Sequence, residues 1–126
     1  MQSTEDARAT KYRQAAFGYL HVGLLYEAAV VAMWRAGVLP STRGPALLWL
    51  VIGAVIVAGV FVGLYRWRNP WFARLLWALH GLRLPAIIEG AFFPDSDSRL
   101  NPAFYLTALV VIVINLWLLA RAAWDL

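Results

Sequence analysis

GPALLWLVIGAVIVAGVFVGLY, residues 44–65, contains no charged side chain. A helix needs about 20 apolar residues to cross a hydrocarbon core of about 30 Å, and this stretch is long enough. LNPAFYLTALVVIVINLWLLA, residues 100–120, is also free of charge and long enough. Two such segments in one chain predict an integral membrane protein. Composition agrees. Of the 126 residues, 62% are hydrophobic, against roughly 45–50% in a soluble domain, and the mean hydropathy is +0.64. Several of the 7 tryptophans stand at the ends of apolar runs, where an aromatic belt meets the bilayer interface.

Working outward, two more spans follow. AAFGYLHVGLLYEAAVVAMWRA, 15–36, precedes the turn GVLPSTRGP, whose prolines and glycines break a helix. RWRNP then makes a short basic turn, and a third span runs over 71–93. The loop PDSDSRLNP ends it. Asn101 before Pro102 reads as a helix start, so the fourth span covers 103–123. The second span is taken as 46–65. Lipid satisfies no open sheet edge, which excludes strands, and connections this short join antiparallel neighbours. The expected fold is therefore an all-α, up-down-up-down bundle of four transmembrane helices over 15–123, with residues 1–14 as a polar cytoplasmic tail. MQSTEDARATKYRQ has neither the basic start nor the small-residue cleavage site of a signal peptide. The first apolar segment is thus expected to stay as a membrane helix.

The net charge of +4 and pI of 10.0 would suggest nucleic acid in a soluble chain. Here the basic residues cluster at span ends and set topology instead. Arg8, Lys11, Arg13, Arg66, Arg68, Arg74 and Arg121 would share one side, and they outnumber Arg35, Arg43 and Arg99 on the other. The positive-inside rule then predicts that both termini are cytoplasmic. The expected partners are the lipid bilayer and either further copies of the chain or a larger membrane complex, with no nucleic acid.

WALHGLRLPAIIEG, 77–90, departs from the apolar pattern inside the third span. A charge at the bilayer centre costs about 2.5–3.5 kcal/mol on insertion scales. His21, Glu27, His80, Arg83 and Glu89 therefore need partners, and Asn115 adds an uncharged polar group. Glu27 and Arg83 each lie about 13 residues, or about 19 Å, from the same membrane edge on parallel helices. An ion pair between them, with Asn115 alongside, is the economical expectation. Pro85 cannot donate to the carbonyl of residue 81, which is Gly81, so a kink is predicted there.

Three functional readings follow. The first is a non-enzymatic membrane protein acting by binding or association, as an accessory subunit or small homo-oligomer, with Glu27, His80, Arg83, Glu89 and Asn115 as a buried polar cluster. Gly59 and Gly63 on the second span, with Ala28, Ala32 and Ala36 on the first, give small-xxx-small packing rows that suit close helix contact. The second is a small channel or proton-linked transporter, since intramembrane acids and histidines mark proton paths. The third is a haem or quinone carrier, with His21 and His80 as axial nitrogens. No cofactor is required by the first reading. The chain has 0 cysteines, which removes disulfides, thiolate metal sites and Cys nucleophiles. PDSDSR lacks the glycine and terminal glutamate of an EF-hand loop. No phosphate-binding loop, HExxH or serine elbow is present, so neither a catalytic residue nor a metal site is expected.

Overall fold

The computed structural model describes residues 3–37, 45–93 and 101–126. These residues form helices and their turns, with no strand among them. Four helical stretches are long and apolar enough to cross a membrane: Thr4–Arg35, Ala46–Trp67, Pro70–Phe92 and Pro102–Trp124. The protein is an all-α bundle of four spans, as the charge-free runs predict.

α1 covers Thr4–Arg35 in 32 residues. The segment read as a polar tail thus forms its first turns. Local chemistry explains why. The Ser3 side chain accepts a hydrogen bond from the Asp6 N–H at 3.1 Å, and Glu5 and Asp6 occupy the first turn, where the helix dipole favours negative charge. α2 covers Ala46–Val62 and runs into a π-helical turn over Gly63–Trp67. Arg68, left-handed at φ 49°, stops it. Asn69 and Pro70 then start α3, Pro70–Gly81, with the Asn69 side chain accepting from the Trp71 N–H at 2.9 Å. Asn101 and Pro102 repeat this device for α5, Pro102–Trp124, with Asn101 accepting from Ala103 at 2.9 Å. Proline suits the first helical position because its missing N–H would be unpartnered there anyway.

The third span is broken. α3 ends at Gly81 and α4, Leu84–Phe92, begins after Leu82 and Arg83. The predicted kink at Gly81 and Pro85 is thus an interruption of two residues. The Gly81 carbonyl loses its helical donor because Pro85 has no N–H. The ladder resumes at Ile87, whose N–H donates to the Arg83 carbonyl at 3.2 Å.

α1 packs mainly between α2 and α5, and α5 also carries α3 and α4. α2 meets α3 through the π-helical turn. The core lies at this end, where Tyr12, Ala15, Ala16, Tyr19, Leu64, Ala73, Leu76 and Leu119 pack together. The same end gathers charge. Lys11 and Asp125 form a 2.7 Å ion pair, Arg8 donates to the Arg68 carbonyl at 3.3 Å, and Arg121 donates to Gln14 at 3.0 Å. Arg74 lies 4.8 Å from the Trp71 ring and 5.4 Å from the Trp124 ring. The N-terminal turns, the 66–68 turn and the C-terminus therefore share one end of the bundle, as an even number of spans requires. Arg43 and Arg99 fall in 38–44 and 94–100, outside the described residues.

Candidate functional site: the broken third span

The polar residues of the spans do not form one cluster. Among the described residues the ion pair is Lys11–Asp125, and Glu27 is not joined to Arg83. α1 turns Glu27 toward α2, where its Oε1 is buried without a hydrogen-bond partner. It lies so close to Gly53 that a Cβ built there would be 2.5 Å from it. Arg83 is exposed beside the helix break, and no carboxylate of the described residues lies within 4.0 Å of it. Equal spacing along parallel helices says nothing about rotation around each helix axis, which turns the two side chains apart.

Asn115 is fully buried, with neither side-chain atom hydrogen-bonded. It sits in the α1–α5 interface, its Oδ1 3.7 Å from a Cβ built at Gly18, and joins neither Glu27 nor Arg83. Glu89 is exposed on α4.

The two histidines face different sides. His21 is exposed, and its Nδ1 donates to the Phe17 carbonyl at 2.9 Å, one helical turn earlier. It lines a groove of about 470 Å³ with Gln14, Phe17, Ile114 and Leu118 on the α1–α5 face. His80 is buried at 4% exposure. Its ring meets Tyr19 edge-on, with centroids 5.1 Å apart, and its Nδ1 has no partner. It lines a separate cavity from the one beside His21.

What the fold does bring together is His80, Arg83, Tyr19 and Tyr26. They line a cavity of about 180 Å³ between α1, α2 and the α3–α4 break, walled on the α2 side by Trp49, Ile52, Gly53 and Ile56. A second cavity of about 440 Å³ opens between α1, α4 and α5. Val22, Tyr26 and Arg83 belong to both. Arg83 thus stands at a divide between two hollows, at the junction where α4 begins. The tyrosines carry a signal that the charged residues overshadow: Tyr12, Tyr19 and Tyr26 recur at a spacing of seven, which puts them on one face of α1.

The packing rows also resolve differently. Gly63 is buried, and a Cβ there would meet the Phe72 ring at 2.7 Å, so it serves contact with α3. Gly59 opens onto space in which a Cβ meets nothing within 4 Å. Ala28 is exposed and Ala32 half-buried. The close approach of α1 and α2 instead uses Gly23, where a Cβ would be 2.6 Å from Val57, and Gly53 against Tyr26 and Glu27.

Among the described residues no group of three His, Asp or Glu is placed to hold a metal ion. No known protein family, curated protein or solved structure matches this chain.

Proposed function

We propose that this chain is a non-enzymatic membrane protein that acts by binding within the bilayer, and that the broken third span is its binding element. One observation carries the reading: Arg83, unpaired among the described residues and exposed at a break in mid-span. Counted from Pro70, Arg83 lies about 19 Å along a span of about 34 Å, near mid-depth. A cation there is stable only with an anion, water or a partner group beside it. Non-helical backbone at membrane depth is tolerated where it lines a cavity or is buried in protein. Both features fit a site completed by something the chain itself does not supply. In this reading the protein works as an accessory subunit or as a small homo-oligomer, and both termini face the cytoplasm.

Native mass spectrometry of the protein released gently from its own membrane tests this. The wild type is expected to retain a second mass, a small molecule or a protein, that Arg83→Gln loses. Bare protein from both would overturn the reading.

A proton-linked transporter is the second reading. It is favoured by Glu27, whose Oε1 is buried without a hydrogen-bond partner, since intramembrane acids mark ion and proton paths. Proton flux into liposomes that is abolished by Glu27→Gln would support it. Flux absent under an imposed pH gradient would exclude it.

A further inference from the structure

The cleft around Arg83 has the chemistry of a site for one class of ligand. Resting on the binding reading above, we infer that it takes a single-chain lipophilic carboxylate, with the carboxylate on Arg83 and the chain in the groove between α1, α4 and α5.

Three observations converge. Arg83 offers a planar fork of donors and meets no carboxylate of the described residues within 4.0 Å. A guanidinium pairs with a carboxylate through two parallel hydrogen bonds, a geometry that gives both strength and orientation. Second, α4 begins at Leu84 with Arg83 as its N-cap. Pro85 has no N–H, so Leu84 and Ala86 carry the amide donors ahead of Ile87, which bonds to the Arg83 carbonyl, and the dipole at a helix start favours negative charge. Half-helix N-termini at mid-membrane are recurrent anion sites for this reason. Third, His80 is 4% exposed, lines the adjoining cavity with Arg83, and keeps an unpartnered Nδ1. Arg83 and His80 thus give the cleft polar groups of its own.

The apolar part follows from shape. The groove of about 440 Å³ runs from Arg83 past Leu25, Ala29, Ala86, Ile87, Phe104 and Ala108. That is within the roughly 300–1,000 Å³ of small-molecule sites. Its walls are apolar and small-residue-rich beside Ala29, Ala86 and Ala108, which suits one hydrocarbon chain. Glu27, the acid that would repel a carboxylate, lines neither cavity and lies against Gly53. The acid that pairs with Arg83 could instead belong to a helix of another protein, and the test separates the two.

The experiment uses the full chain in phosphatidylcholine nanodiscs, with a diazirine-bearing palmitic acid as probe. Labelling is expected on peptides from α1, α4 and α5 around the groove. Palmitate should compete, and methyl palmitate, which has no charge, should not. Arg83→Gln should weaken labelling by about tenfold, the loss that goes with about 1.4 kcal/mol of a charge-assisted pair, and Arg83→Lys should restore part of it. Ala29→Leu, which fills the groove without touching Arg83, should also weaken it. Equal competition by the methyl ester, or labelling unchanged in Arg83→Gln, overturns the inference. A protein partner lost in Arg83→Gln, with no palmitate competition, overturns the carboxylate ligand and leaves the binding reading standing. No retained mass and no labelling in any form overturns both.

Discussion

Arg83 and Glu27 carry opposite charges, and the fold keeps them apart. The energetic consequence is specific. Residues that share no contact contribute independently, usually within about 0.3–0.5 kcal/mol. Thermal melts of Arg83→Gln, Glu27→Gln and the double variant should therefore be additive, and a coupling above that level would show that the pair forms after all. Asn115 is the opposite case. Both polar atoms of its side chain are buried without partners, and an unsatisfied buried group costs about 1–3 kcal/mol. Asn115→Leu should raise the melting temperature in detergent. A lower one would mean that Asn115 is bonded in the folded protein. The identity of these residues as misfits in lipid was legible from sequence, because each breaks an apolar run. Their partners were not legible, because pairing depends on the rotation of each helix about its axis, and spacing along the chain fixes only depth.

At the scale of elements, the α1–α2 seam rests on two glycines. A methyl group at Gly23 would press into the β-branched Val57 at 2.6 Å, a side chain with little rotamer freedom. Gly23→Ala should destabilise by about 1–3 kcal/mol, the usual range for overpacking a tight contact. Gly59→Ala meets open space and should be neutral or slightly stabilising, since alanine favours a helix by about 0.5–1 kcal/mol. Equal losses at both positions would argue that Gly59 also lies in a tight interface, such as one between copies. The four spans could be read from sequence because charge-free runs and Asn-Pro starts are local signals. Residues 4–14 are helical, and Ser3 followed by Glu5 and Asp6 is a local cap signal too. Pro85 predicts a kink near Gly81, and the helix is interrupted at Leu82 and Arg83. Four-residue spacing puts Gly59 and Gly63 on one face without saying what that face meets: a Cβ at Gly63 meets Phe72, and one at Gly59 meets nothing among the described residues.

At the scale of the whole molecule, the described residues pack most tightly at the end that holds the termini. Tyr12, Leu64 and Leu119 are fully buried near the termini, and the cavities around Arg83 lie toward the far half. The tight end is also pinned by charge. Lys11 donates to Asp125 and lies beside it, holding that carboxyl below its ordinary value of 3.8. A carboxyl with a depressed value in the folded protein contributes stability above its unfolded value, lost as pH falls through the folded one. The protection factors of amides near 121–126, exchange rates taken relative to an unstructured peptide at the same pH, should therefore fall as pH drops below about 4, where the unfolded value lies, and Asp125→Asn should remove that acid dependence. Protection that is flat with pH would show that the ion pair does not hold the C-terminus. The far half is where binding is expected, and everything there depends on Arg83 standing in mid-membrane. Because the native chain has 0 cysteines, a single one can be placed at Leu82, which is 77% exposed beside Arg83, and given a nitroxide label in lipid vesicles. Collision with dissolved oxygen against a water-soluble nickel complex then reports depth. High oxygen and low nickel access is expected, the signature of the bilayer interior facing lipid. Nickel access like that of a label at Ser3 would put the break in water and contradict it.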